Sequence, residues 1–367
     1  MTMNFDTAAL LVLIDSGGEE ERERDLVVKD YIQRGSIRFW SKHNILNKIN
    51  IKEFHKLLNL LYHIGIIHDY LAALDATDDD DGYEIRFCRY FNFETMKINP
   101  QNGRITHLSL QRKQWLIENE LMDISYIPFN VPSIIEQFQC LESLELWNCN
   151  SVLPLCNLPL LKTITFSQCS QNIFQNIPEG LETIRFTSRC SQNIFQNIPE
   201  GFKLPSSIKK ISFQLYSLEF NTSLSPFMKT LPNTLEELHL WYVPIKDQTD
   251  EVLRVLQNDD LSFTQSLTTI TMKYCSLNDD DLKRLMFEIR ERFPNLHTIN
   301  ITGNKIESLC GIDDIIKATP TTISLPSSSS SSSSQSLIRN TINLRNLLLD
   351  ENPVLTKIEP KDKATLL

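Results

Sequence analysis

The sequence predicts an α/β repeat solenoid: short stacked units whose strands form a curved parallel sheet on the concave face, behind a mainly helical N-terminal region. Two observations carry this. Cys169–Gly180 and Cys190–Gly201 are the same twelve residues, CSQNIFQNIPEG, and each copy follows a matching strand-like segment, Leu161-Lys-Thr-Ile164-Thr-Phe166 and Leu181-Glu-Thr-Ile184-Arg-Phe186. Apolar anchors spaced L-x-x-L-x-L also recur well beyond the duplication. A unit of about twenty residues cannot bury its own apolar face, so such units stack and offer a long surface rather than a catalytic pocket.

Nine sets of anchors follow in order. They are Ile105/Leu108/Leu110, Leu141/Leu144/Leu146, Leu161/Ile164/Phe166, Leu181/Ile184/Phe186, Ile208/Ile211/Phe213, Leu235/Leu238/Leu240, Leu267/Ile270/Met272, Leu296/Ile299/Ile301 and Leu344/Leu347/Leu349. The last two anchors of each set are two residues apart, so they leave a strand on the same face and enter a core. The residue between them faces solvent. Three units add Asn or Cys three positions on, followed by an apolar residue: Cys275 with Leu277, Asn304 with Ile306, and Asn352 with Val354. At a turn such a side chain satisfies inward-facing backbone groups that no ladder reaches. Together these features resemble the leucine-rich repeat family over roughly residues 100–355, which implies that family's horseshoe.

Repeat starts from Leu141 to Leu296 lie 20 to 32 residues apart. The short units, with Pro159, Pro178 and Pro199, have no room for a three-turn helix and call for extended or turn-like connections. The long units have room. Asn278 is an N-cap before Asp279–Asp281, and Leu282, Leu285, Met286, Ile289 and Phe293 follow a helical stripe ending before Pro294. The C-terminal half therefore resembles the ribonuclease-inhibitor type. In the middle, Ile177-Pro178-x-x-Leu181, Leu204-Pro205-x-x-Ile208 and Leu231-Pro232-x-x-Leu235 resemble FNIP-type repeats, although the Phe-Asn-Ile-Pro core is imperfect. The second duplicate carries one extra residue between Phe186 and Cys190, expected as a bulge in the turn because a slipped strand would invert its buried face.

Residues 1–100 read as an N-terminal helical, capping region, and residues 101–358 as the repeat array, with a tail at 359–367. Asp6-Thr-Ala-Ala-Leu10-Leu11 and Gly103-Arg104-Ile105-Thr106-x-Leu108-x-Leu110 resemble the N-terminal flank of plant-type leucine-rich repeat proteins, without their cysteine pair and with a far longer gap. That resemblance implies a cap and a first strand. A cap has a physical reason, since the first repeat otherwise leaves an open apolar end. Between the two elements, Ile51–Leu74 is expected to be helical and Asp78–Gly82 an acidic loop. The eight-serine run Ser327–Ser334 lies in a low-complexity stretch, residues 321–336, expected to be a disordered loop.

A net charge of −10 and a pI near 5.3 argue against nucleic acid as a partner. No apolar run reaches the ~20 residues of a membrane span, and Ala8–Ile14 follows Asp6 and no basic residue, so a signal peptide is not expected. The eight cysteines lie singly. Cys149, Cys169, Cys190 and Cys275 fall near the turn position and read as reduced core thiols of a cytoplasmic protein rather than zinc ligands. The acidic loop fails as a calcium site, with Cys88 where a glutamate is needed. His55, His63 and His68 lack the spacing of a helical metal site. No phosphate loop, serine elbow or paired metal ligands appear, so no cofactor, metal or catalytic residue is assigned.

The function expected is that of a non-catalytic, monomeric protein that binds a protein partner on the concave face. The alternative is an adaptor or substrate receptor of ubiquitin-ligase or signalling type, whose N-terminal region docks a second partner. An F-box-like start is not found. Large aromatics on a solvated strand face mark binding hot spots. The candidate contact residues are Trp241, Tyr242, Tyr274, His239 and Lys273, with Trp147 and Arg185 elsewhere in the array.

Overall fold

The structure is a computed structural model of the 367-residue chain. It describes residues 7–14, 22–36, 40, 44–75, 96–118, 121–151, 155–169, 177–187, 198, 201–214, 225–243, 265–308 and 346–353. The acidic loop, the serine run, Cys190 and the extra residue of the second duplicate lie outside these. The chain forms two compact units, Met1–Asn197 and Ile198–Leu367. Both are built on parallel strands in an open sheet.

The first unit begins with helices α1 (Thr7–Ile14), α2 (Arg22–Tyr31), α3 (Ile51–His63) and α4 (Ile66–Asp75). Asn50 caps α3 by accepting from the Lys52 amide at 2.9 Å. The buried face of α3 carries Phe54, Leu57, Leu58, Leu60 and Leu61, with Trp40 edge-on to Phe54 and Tyr31 edge-on to Tyr70. Three polar links tie the helices to the first strands. The Asn50 amide donates to the Gly103 carbonyl at 2.8 Å, and the Ile105 amide to Glu53 Oε1 at 3.4 Å. The Arg112 guanidinium grips Asp69 with two bonds, at 2.7 and 2.8 Å. Gly103 has φ 69°, and a Cβ there would stand 2.6 Å from the Asn50 nitrogen, so only glycine permits this approach.

The strands of this unit are β1 (Lys97–Ile98), β2 (Ile105–Leu110), a hairpin β3 (Lys113–Glu118) and β4 (Leu121–Tyr126), β5 (Phe129–Asn130), β6 (Ser143–Trp147), β7 (Cys149–Ser151), β8 (Thr163–Ser167) and β9 (Thr183–Thr187). β1 pairs antiparallel with β2. β2, β6, β8 and β9 then pair in parallel, in a register that lines up Leu144, Ile164 and Ile184 in one row and Leu146, Phe166 and Phe186 in another. The second unit contains β10 (Lys210–Gln214), a single turn α5 (Ser225–Met228), β11 (Glu237–Trp241), β12 (Thr269–Lys273), α6 (Asp279–Arg292), β13 (Thr298–Asn300) and β14 (Asn346–Leu348). Its five strands pair in sequence order, all parallel, with Ile211, Leu238, Ile270, Ile299 and Leu347 in one row.

The described anchors are buried as the spacing predicts, except Leu347, which is half-buried; Leu344 lies outside the described residues. Each buried Leu, Ile or Phe contributes ~1.5–3 kcal/mol. Entry into each strand is also uniform. The first-anchor amide of Leu141, Leu161, Leu181, Ile208, Leu235 and Leu296 donates to the carbonyl three residues back, at 2.9 to 3.2 Å. In three of these turns that carbonyl belongs to a proline, Pro178, Pro205 or Pro232, which explains the L-P-x-x-L spacing. Among the described residues the short β6–β8 connection holds β7 and a 3-10 turn, Leu155–Asn157, and the longer one before β6 holds a 3-10 turn, Ser133–Gln137. The β12–β13 connection holds α6, where Asn278 Oδ1 accepts from the amides of Asp280 and Asp281 while Asp281 Oδ2 accepts from the Asn278 amide.

The outward columns are less exposed than the alternation alone implies. Ser109, Gln111, Ser167, Thr271 and Thr302 are buried. The ladder explains Thr271. It lies between His239 and Asn300 on the adjacent strands, and at a spacing of ~4.8 Å the larger neighbours close over a small side chain.

Candidate functional site

Two residues past the last anchor of six units, among the described residues, the chain turns into the left-handed region. Asn148, Gln168, Tyr242, Tyr274 and Glu351 have φ of 54° to 60°, and Gly303 has 71°. The turn keeps the ladder going one step further. The amides of Asn148, Tyr242, Tyr274 and Gly303 each donate to a carbonyl of the following repeat, at 2.8 to 3.1 Å. Glycine holds this conformation freely and asparagine tolerates it, but for a bulky residue it costs ~1–2 kcal/mol.

The residue after the turn points inward. Cys169 donates its thiol to the Leu146 carbonyl at 3.6 Å, and Cys275 to the Leu240 carbonyl at 3.4 Å. Asn304 does more. Its Oδ1 accepts from the amides of Cys275 and Leu277, and its Nδ2 donates to the carbonyls of Met272 and Ile301. Asn352 repeats this with the Ile306 amide and the Ile301 and Leu349 carbonyls. The turn role read from the sequence for Asn and Cys is therefore seen atom by atom. Burial pushes the Cys169 thiol up to about 11 and the Cys275 thiol to about 12. Such thiols are poor nucleophiles.

In the second unit the left-handed position becomes aromatic twice in succession. Tyr242 and Tyr274 follow the adjacent strands β11 and β12, and their rings stack with centroids 4.6 Å apart and planes within 6°. Tyr242 is the more open of the two, at 37% exposure, and Tyr274 is half-buried. Beside them the Lys273 ammonium lies over the Trp241 ring, 5.6 Å from its centroid. The Trp241 indole nitrogen is buried without a hydrogen-bond partner.

One residue pair further along the strand, His239 Nε2 meets Glu237 Oε2 at 2.9 Å, and Lys210 pairs with the same oxygen. Burial would raise the Glu237 carboxyl, but the bonds from Lys210 and His239 outweigh it and hold it below the usual carboxylate range. The Tyr274 hydroxyl donates to Glu351 Oε2 at 2.6 Å, which with partial desolvation pushes that phenol up to about 12.

The structure thus gathers five of the candidate residues, His239, Trp241, Tyr242, Lys273 and Tyr274, on β11 and β12 of the second unit and in the turns that directly follow them. Trp147 and Arg185 belong to the first unit, at the end of β6 and the middle of β9, half-buried and exposed respectively. Sequence reasoning missed Gly303, Glu351, Glu237 and Lys210. Gly303 was legible as the only glycine directly before a turn asparagine of the repeats, in Thr302-Gly-Asn304. Glu351 carried no such signal, because it belongs to a turn two repeats away. Among the described residues no cluster of His, Cys, Asp or Glu has the arrangement of a metal site. His55 contacts Asn59, and His63 and His68 pack against Tyr62. No described helix is long and apolar enough to cross a membrane.

No family model matches the chain, and no curated protein matches it. Among solved structures it is similar to the crystal structure of a plant ice-binding protein, at 14% identity, over 71% of this chain and 81% of that one. The TM-score of that likeness is 0.27, and it bears on neither the fold nor the function of this chain.

Proposed function

We propose that the chain is a non-catalytic, cytoplasmic interaction protein of leucine-rich repeat type, FNIP-like in its middle repeats, which binds a protein partner on the outward face of its strands. The observation that carries this is the Tyr242–Tyr274 stack with Trp241 under Lys273. Four large side chains sit together at the ends of two adjacent strands, and two of them hold a backbone conformation that disfavours them. The stack and the cation–π contact offset part of that strain, and Trp and Tyr are the residue types that dominate binding hot spots. The helices of residues 7–75 act in this reading as a cap on the first repeat, supported by the links from Asn50, Glu53 and Asp69. Buried single thiols in the turns support a reducing compartment.

The test is capture of a partner from an extract of the source cells by the full chain and by its Trp241→Ala/Tyr242→Ala variant. Loss of capture with a nearly unchanged thermal midpoint is expected. If the variant unfolds, the rings belong to the core and the reading falls. A second docking surface on the helices is the alternative, favoured by Val12 on α1 and Leu26 on α2, at 69% and 68% exposure. Leu26→Asp then removes one captured protein and spares another.

A further inference from the structure

The stacked pair is held from behind by two residues that are themselves not aromatic. Tyr274 occupies the left-handed turn after β12, and the same position after β13 is Gly303. A Cβ on Gly303 would fall inside van der Waals contact with Cδ1 and Cε1 of the Tyr274 ring and 3.0 Å from Cζ. The ring therefore lies flat on bare backbone, across the neighbouring repeat. It ends at the repeat beyond that one, where Glu351 accepts from its hydroxyl at 2.6 Å. Gly303 is fixed in turn by its own amide, which donates to the Asp350 carbonyl at 2.8 Å. Tyr242 then stacks on the ring so held, 4.6 Å away.

We infer that Gly303 and Glu351 are positioning residues for the Tyr242–Tyr274 contact pair, Gly303 by leaving the space in which the Tyr274 ring lies and Glu351 by fixing its hydroxyl. This deepens the interaction reading above and rests on it. A tyrosine on a strand face has two free side-chain torsions, and a partner that must order them loses affinity. Here one ring is clamped between a tyrosine and a backbone, with its far end hydrogen-bonded, so the pair meets a partner already in place. The same geometry predicts that shape is sensitive at a glycine no partner need touch.

Two readouts on the full chain test this. The first needs no partner: near-UV circular dichroism at neutral pH, with the change caused by Tyr274→Ala taken as the signature of the stack. Gly303→Ala is expected to abolish that signature and Glu351→Gln to reduce it, with far-UV spectra unchanged. If both variants keep the wild-type signature, the inference is overturned. Glu351→Gln keeps the test decisive where the left-handed strain of Gly303→Ala prevents folding. The second uses as probe a peptide selected from a displayed random library on the wild-type chain and rejected by Tyr242→Ala. Its affinity is expected to fall about tenfold in Gly303→Ala and less in Glu351→Gln. Unchanged affinity in a variant that has lost the signature overturns the positioning role. Failure to select any Tyr242-dependent peptide overturns the interaction reading alone, because the spectra still decide whether the two residues hold the pair.

Discussion

The repeats around β6 and β8 and those around β11 to β13 solve the same turn with different residues. In the first unit the left-handed position is Asn148 and then Gln168, and the inward position is Cys149 and then Cys169. In the second unit the left-handed position is Tyr242, Tyr274 and Gly303, and the inward position includes Asn304. Small or flexible polar residues tolerate the turn, and a thiol offers one weak donor to a neighbouring carbonyl. The second unit departs from this in both directions. Asn304 makes the turn more firmly bonded than a thiol can, while Tyr242 and Tyr274 make it more strained. The added bonding lies directly behind the added strain, since Asn304 accepts from the amide of Cys275, the residue after Tyr274.

The largest effect expected from this contrast is at the inward position. Asn304→Ala strands the buried amides of Cys275 and Leu277 and the Met272 carbonyl, and is expected to lower stability by about 3 kcal/mol or more. Cys169→Ala removes one thiol and is expected to cost about 1 kcal/mol. Urea unfolding of the two variants measures the difference, and equal losses would break the comparison.

The next effect is alkaline. Both buried thiols titrate higher in the folded chain than the ordinary 9.0, Cys169 at about 11 and Cys275 at about 12. Their contribution is complete below pH 9 and is lost progressively as pH rises towards those folded values. At pH 10 the loss is about 1 kcal/mol for each thiol. The Cys169→Ala/Cys275→Ala variant should show a correspondingly flatter stability profile between pH 9 and 10, and an unchanged slope would refute the assignment.

The smallest effect has the opposite sign. Tyr242→Asn places a residue suited to the left-handed turn and is expected to leave stability unchanged or raise it by up to ~1 kcal/mol, while removing partner binding. A clear destabilisation would mean that the ring stabilises the fold more than its backbone strains it.

Much of the fold was legible in the chain because the repeat forces each strand to use the same spacing. The row Ile211, Leu238, Ile270, Ile299, Leu347 was readable from L-x-x-L-x-L alone, and Asn278 from its position before three acids. The gathering of Trp241, Tyr242 and Tyr274 was legible for the same reason. The stack itself was not. Whether two rings lie face to face depends on backbone torsions at 242 and 274 and on the missing side chain at 303, none of which strand alternation encodes. Alternation also misread Ser109 and Thr271, because it records the direction of a side chain and not the size of its neighbours.

Most turn bonds described here reach one repeat. Cys169 finds Leu146, Cys275 finds Leu240, and Asn304 finds Met272. A chain so connected tolerates recombination in whole units, since a copied repeat meets the same carbonyls its template met, and the identical twelve residues at 169 and 190 are the trace of such an event. The Tyr274–Glu351 bond follows a different rule, for it runs from the β12 repeat to the β14 repeat across Gly303. A unit gained or lost between them would leave every strand paired and still separate the hydroxyl from its acceptor. Insertion of a whole repeat is therefore compatible with the one-repeat bonds, whereas between Tyr274 and Glu351 the repeat number is set by the reach of one side chain.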